Sequence, residues 1–154
     1  MANENENIQD INGEMDNGFH GLIGHRLVKW EKDYAELELD VQPKHLNRGG
    51  VLHGGVLSTL IDAVGGFAGC YTDDPAERRG CITLSLTVSF TGQVSSGRLR
   101  VQGRRRAGGR RIYAATAEVY NDADELVALG EGTFRLRSTL MSEGGGGEKT
   151  GQNS

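Results

Sequence analysis

The chain has 154 residues, a formal net charge of -4 and a charged fraction of 25%; this suits one ordinary domain and exerts no general pull on nucleic acid or acidic membranes. The hydrophobic fraction of 36% omits 24 glycines, and apolar residues plus glycine make up about half the chain, enough for a real core. The two cysteines, Cys70 and Cys81, form no CxxC pair and read as buried thiols of a reduced compartment, which excludes a disulfide framework.

In chain order, residues 1–17 are rich in Asn, Glu and Asp and have neither the basic start nor the apolar run of a signal peptide. They are expected to form a disordered polar tail, as are residues 138–154 with their four glycines at 144–147, because such compositions cannot offset their ordering entropy. No segment approaches a membrane span, so a cytoplasmic location is expected, with one domain over residues 18–137. Within it, residues 22–30 and 34–41 predict a hairpin, the second strand alternating Ala35, Leu37, Leu39 and Val41 with Glu36, Glu38 and Asp40. Pro43 ends that pairing and residues 45–50 form a loop.

The glycine-rich turn Asn47-Arg48-Gly49-Gly50-Val51-Leu52-His53-Gly54-Gly55 then runs into a helix predicted over residues 54–71. Leu57, Leu60, Ile61, Val64, Phe67, Ala68 and Tyr71 recur at the three- and four-residue spacing of a helix packed on a core, and Thr72-Asp73-Asp74-Pro75 stops it. Asp62 sits in the middle of this apolar helix, where a carboxylate is expensive to bury, so it is expected to serve a purpose. Ser58, Gly65, Gly66 and Gly69 are placed on the same face, small residues that would leave room for a close neighbour or a substrate tunnel.

After the helix the period switches to two. Ile82, Leu84, Leu86, Val88 and Phe90 alternate with Thr83, Ser85, Thr87 and Ser89, a strand with one face on the core. Three more strands are predicted over 98–106, 110–120 and 125–137, separated by Ala107-Gly108-Gly109 and Asn121-Asp122-Ala123-Asp124. Two strands, a long helix and four strands describe an α+β fold in which a curved antiparallel sheet of five to six strands wraps one central helix.

Several chemistries are absent from the motifs. His20, His25, His45 and His53 show no HxH or HExxH spacing, so no metal site is expected. The glycine loop is not followed by Lys-Ser or Lys-Thr, which excludes a triphosphate-binding loop, and no GxSxG elbow marks an α/β-hydrolase.

The run from Asn47 to Gly55, Asp62 in the helix, the Thr/Ser-alternating strand ending Val88-Ser89-Phe90 and the late Gly130-Glu131-Gly132-Thr133-Phe134 strand resemble the hotdog-fold acyl-CoA thioesterases of the PaaI-like, phenylacetate-pathway type. The resemblance covers about residues 20–137 in element order. It implies hydrolysis of an acyl-CoA thioester to a carboxylic acid and coenzyme A, with no cofactor beyond the coenzyme A that belongs to the substrate. It also implies a homodimer, expected to pair further as a dimer of dimers. Asp62 matches the acid that activates water or attacks the thioester itself; Asn47 matches the asparagine that steadies the water or carboxylate. Thr83 falls where relatives place a hydroxyl that assists the water, while His53, with Gly55, shapes the turn.

The residues support this chemistry independently. Thioester hydrolysis needs a donor for the developing oxyanion and a base or nucleophile for the carbonyl carbon. Gly54 opens a helix, where backbone N–H groups are unpaired and the dipole is positive, and glycine admits a carbonyl close to the backbone. Gly54 and Asp62 lie eight residues apart, about 12 Å along a helix, so one carbonyl cannot touch both. Two antiparallel copies of the helix across a two-fold axis would bring Gly54 of one chain to Asp62 of the other.

Seven of the 17 Lys and Arg residues fall between Arg98 and Arg111. Arg104, Arg105 and Arg106, beside a Gly-Gly turn, are candidates to bind the phosphates of coenzyme A. The simpler alternatives are a structural acid at Asp62 paired with an arginine, and an arginine run that only solvates a hairpin edge. A dehydratase or hydratase acting on acyl thioesters, or a non-catalytic acyl-CoA-binding protein, are the alternative functions.

Overall fold

The computed structural model describes residues 4–138. Its helices are α1 (Glu4–Met15), α2 (Phe19–Ile23) and α3 (Gly54–Gly69), and its strands are β1 (Arg26–Glu31), β2 (Tyr34–Asp40), β3 (Cys81–Phe90), β4 (Arg98–Gly108), β5 (Ile112–Tyr120) and β6 (Leu126–Leu136). The six strands form one antiparallel sheet in the order β1-β2-β4-β5-β6-β3. Between β2 and β3 the chain crosses through α3, so β3 lands on the far edge, beyond the β4–β5–β6 meander. One long helix held by one sheet is the hotdog arrangement expected of the sequence.

The core lies between α3 and the sheet. Leu57, Leu60, Ile61, Val64 and Ala68 are buried at helical spacing, in one cluster with Leu37 and Leu39 of β2, Leu99 and Val101 of β4, and Val119 of β5. At about 1.5–3 kcal/mol for each large side chain removed from water, this face accounts for the position of the helix better than its own propensity does. Gly65 and Gly69 belong to this packed side. A Cβ at Gly69 would stand 1.9 Å from the ring of Tyr113, and one at Gly65 2.7 Å from that of Phe134; the two rings stack at 5.3 Å. These glycines admit core aromatics, which corrects the expectation that they open the Asp62 face.

Three other expectations need correction. Residues 4–15 are not a solvated tail: α1 buries Asn7, Ile11, Asn12 and Met15, a four-residue spacing hidden by polar side chains. Asn12 explains the polarity. Its Nδ2 donates to the Leu27 carbonyl and its Oδ1 accepts from the Leu27 N–H, both at 2.9 Å, beside the register shift between Leu27 and Lys29. A side-chain amide thus satisfies the backbone of an edge strand.

The strand predicted from residue 22 begins at Arg26, since α2 occupies Phe19–Ile23 and Gly24 turns the chain at φ 90°. In β3 the single alternation breaks at a bulge between Thr83 and Ser85. Leu86 and Val88 pack on the core, whereas Ile82 and Leu84 are 48% and 51% exposed and Thr83 turns toward α3. A bulge adds one residue and so exchanges the faces of everything before it. The expected tail at 138–154 lies, beyond Ser138, outside the described residues.

Candidate active site

α3 brings Asp62 to the edge of the sheet, where the Thr83 hydroxyl of β3 donates to Asp62 Oδ1 at 2.6 Å. Asp62 is only half-buried, which removes most of the desolvation cost that made the residue look odd in sequence. None of the ion pairs among the described residues involves it, so the structural-acid alternative has no arginine to rest on. Asp62 and Thr83 both line a cavity of about 390 Å³. With Oδ1 engaged by the hydroxyl, Oδ2 is left for a water or a carbonyl carbon.

At the other end of α3, His53 caps the helix, its Nδ1 accepting from the Gly55 N–H at 2.8 Å. Gly54 is the first helical residue, so its N–H has no intrahelical acceptor. A Cβ there would sit 3.1 Å from the ring of Phe90. Asn47 Oδ1 accepts from the N–H groups of Gly49 (2.8 Å) and Val51 (3.3 Å), a side-chain-closed turn that shapes the glycine loop. Its Nδ2 makes none of these bonds. The predicted residues therefore fall into two groups in one chain: Asp62 with Thr83 in the cavity, and Asn47, His53, Gly54 and Gly55 at the helix start, none of them lining it.

The cavity contains residues that sequence reasoning missed. Ile11 and Met15 of α1, Trp30 of β1 and Phe67 of α3 give it apolar walls. Arg78, from the loop after α3, roofs it by holding α1: Nη1 donates to Glu14 at 3.1 Å, Nη2 reaches Asn7, and Asp10 lies 3.9 Å away. The spacing of Asn7, Ile11 and Met15 was the available signal for the helix; the partnership with Arg78, more than sixty residues on, left none. Of Phe67, Tyr71 and Phe90, only Phe67 lines this cavity. Tyr71 stacks edge-on against Trp30, and Phe90 covers Gly54.

His20 also lines the cavity, and its Nδ1 lies 2.8 Å from Nε2 of His25. His25 is 1% exposed and its Nδ1 has no partner. A proton on that nitrogen would be a buried orphan donor, so the proton belongs on Nε2, which donates to His20 and leaves the His20 proton on its own Nε2. Burial pushes the His25 imidazole down to about 4. It lowers His20 too, although the Asp62 charge pulls the other way.

The unfolded chain, with a histidine near 6.5, binds the extra proton before the folded chain does. Stability is therefore complete above about pH 6.5 and falls as pH drops toward 4. His25 alone is expected to cost about 2 kcal/mol between pH 7 and 4.5. Urea unfolding at the two pH values checks this, since His25→Gln should flatten the difference; an equally steep loss in the variant would exclude His25 as its source.

One turn beyond Asp62 and Gly66 on the same face, Cys70 meets Cys81 at the start of β3. Both thiols are free and half-buried, and both line the cavity. A hydrogen bond from Cys70 lowers the Cys81 thiol and correspondingly raises Cys70. Burial raises the neighbouring Tyr113 hydroxyl, which donates to the Gly66 carbonyl at 3.1 Å. Among the described residues no group of three or more His, Cys, Asp or Glu side chains is arranged to hold a metal ion.

The three arginines proposed for phosphate binding do not act as one grip. Arg105 is half-buried, donating to the Gly109 carbonyl at 3.0 Å with its guanidinium 5.0 Å from the Tyr113 ring centroid. Arg104 lies over Tyr34 at 4.5 Å, and Arg106, at a register shift, donates to Thr116 at 2.7 Å. With Lys29 and Lys32 they line a separate, open groove. No helix among the described residues is long and apolar enough to cross a membrane.

Residues 49–128, half of the chain and the span from Gly49 of the glycine turn through α3, β3, β4 and β5 into β6, match the model of the Thioesterase superfamily. A Pseudomonas aeruginosa protein provisionally named an esterase is 35% identical over 99 residues, 64% of this chain and 72% of its own. A second P. aeruginosa protein, of solved structure, is 32% identical with a TM-score of 0.70, covering 81% of this chain and 98% of that one. A Haemophilus influenzae thioesterase of known structure superposes with a TM-score of 0.76 at 20% identity, over 84% of this chain and 90% of its own, a likeness of fold. This hotdog-fold chain belongs to the Thioesterase superfamily.

Proposed function

We propose that the protein is a PaaI-like acyl-CoA thioesterase of the cytoplasm, hydrolysing R-CO-S-CoA to a carboxylic acid and free coenzyme A at two sites shared across a homodimer. The observation that carries this reading is the separation of its two half-sites: the Asp62–Thr83 pair at one end of β3 and the Gly54 amide beside Phe90 at the other. Asp62 and Gly54 have their midpoint at residue 58 of α3; Thr83 and Phe90 have theirs between Leu86 and Thr87 of β3. A two-fold axis past both midpoints would pair the free edges of two β3 strands and bring Gly54 of the partner subunit to Asp62. The exposure of Ile82, Leu84 and Phe90, at 48%, 51% and 55%, supports an edge covered in the assembly.

In this arrangement Asp62 Oδ2 takes a proton from the attacking water while Thr83 fixes the carboxylate. The partner's Gly54 N–H, at a helix start, receives the charge that develops on the thioester oxygen. Asn47, close in sequence to Gly54, offers its Nδ2 to the same centre. The apolar walls formed by Ile11, Met15, Trp30 and Phe67 take the acyl group. The groove of Lys29, Lys32, Arg104 and Arg106, on the outer face of the sheet across the β1 edge from Trp30 and lined also by Glu31 and Asp33, is where the phosphates of coenzyme A are expected to lie.

Thiol release measured across aromatic, short-chain and long-chain acyl-CoAs tests this. At least one class is expected to turn over with kcat/KM on the order of 10⁴ M⁻¹s⁻¹ or more. Release from none of them, with a folded dimer in hand, would reject the assignment.

A further inference from the structure

The thioesterase chemistry proposed above uses Asp62, Thr83 and the helix start, and leaves Cys70 and Cys81 without a role. Two thiols 11 residues apart in sequence nonetheless both stand at the wall of the cavity. Asp62, Gly66 and Cys70 follow one another at four-residue spacing along α3, and Thr83 and Cys81 at two-residue spacing along β3. The two rows face each other: Thr83 is bonded to Asp62 at 2.6 Å, and a Cβ at Gly66 would lie 3.2 Å from Cys81 Sγ. Cys70, one turn on, lines the same cavity and is the hydrogen-bonding partner of Cys81, with its own Sγ 4.0 Å from the Tyr113 hydroxyl. Gly66 is what allows Cys81 to approach.

We propose that Cys70 and Cys81 are a reactive dithiol, a modification site for hydroperoxides that closes into a disulfide joining the end of α3 to the start of β3. In the first step the Cys81 thiolate attacks one oxygen of the hydroperoxide. An S–O bond forms as the O–O bond breaks; the sulfur is oxidised by two electrons to a sulfenic acid, and the peroxide is reduced to hydroxide or an alkoxide that takes up a proton. In the second step the Cys70 sulfur attacks Cys81. The S–S bond forms, the S–O bond breaks, and the oxygen leaves as water with the Cys70 proton, so that with hydrogen peroxide two thiols yield one disulfide and two waters. Cys81 is suited to the first step because it stands two residues from Thr83 on the cavity wall while Cys70 is held against the Tyr113 hydroxyl and can give its S–H to the Cys81 thiolate, and Cys70 to the second because it is already in place.

Arg78 and Arg79 lie between the cysteines, so trypsin separates them unless a disulfide joins the peptides. After treatment of the full chain with stoichiometric hydrogen peroxide, a linked peptide pair with the loss of two hydrogens is expected, reversed by dithiothreitol. Cys70→Ser should stop at a Cys81 sulfenic acid trapped by dimedone, and Cys81→Ser should leave Cys70 unmodified at the same dose. Independent oxidation of the two thiols in the wild type, a bond between two chains, or equal reactivity of Cys70 in Cys81→Ser would each overturn the proposal. The readout is a mass, so a failure here is distinct from a failure of the thioesterase reading.

Discussion

Asp62→Asn is expected to lower kcat by about 10²- to 10⁴-fold, the range that a positioned acid–base group contributes. The amide has nearly the volume of the carboxylate and keeps an oxygen to accept the 2.6 Å bond from Thr83, so what is lost is the capacity to take a proton. Because Asp62 is half-buried and outside every ion pair among the described residues, its unfolding free energy should change by no more than about 0.5 kcal/mol. KM should move little, since the apolar walls and the groove proposed for the phosphates are untouched. Thr83→Val, which removes the donor and keeps the shape, is expected to act through Asp62 with a smaller loss, about tenfold. Thiol release under saturating substrate, with urea unfolding of the same samples, checks both. A folded Asp62→Asn protein with near-normal kcat would remove Asp62 from the chemistry.

The parts of this fold legible in the sequence were those written in apolar periodicity. The strand Ala35-Leu37-Leu39 and the helix residues Leu57, Leu60, Ile61 and Val64 announce their faces, and those faces are buried against each other. What remained hidden was written in polar residues or in the backbone. Asn12 looks like tail composition until its amide is seen bonded to both backbone groups of Leu27. The bulge in β3 leaves no mark on the alternation of Ile82 to Phe90, yet it decides that Thr83, and not Leu84, faces Asp62. Gly65 and Gly69 looked like open space because a sequence does not show which ring, Tyr113 or Phe134, fills the room a glycine leaves.

Of the candidate residues, the pairing of Asp62 with Thr83 was legible to the same extent. Asp62, Thr83, Gly54, His53 and Asn47 came from one motif and one strand, short stretches in which spacing carries information. His20, Trp30, Arg78 and Cys81 reach the cavity through packing between elements distant in sequence. His25 acts on His20 only because burial deprives it of any other partner. The fact that Gly54 and Asp62 share a helix was decisive at both levels: their separation is set by helix rise alone, and no packing within one chain can shorten it.

That separation leads to the second large effect. Asp62→Asn and Asn47→Asp are each expected to be nearly inactive as homodimers, and to regain activity when their subunits are combined. Asn47→Asp is chosen because an aspartate keeps the oxygen that accepts from Gly49 and Val51, preserving the loop before Gly54, while it replaces the amide donor with charge. In a mixed dimer with shared sites, one site carries both lesions and the other neither. A purified heterodimer carrying two tags should therefore show about half the wild-type kcat per dimer, and a random equimolar mixture about a quarter, because half of its dimers are mixed. If each site were built within one chain, both subunits of the heterodimer would carry a lesion and no activity would return. A verified heterodimer no more active than its parents would thus place Gly54 and Asn47 outside the site that Asp62 serves, and the free edge of β3 would need another explanation.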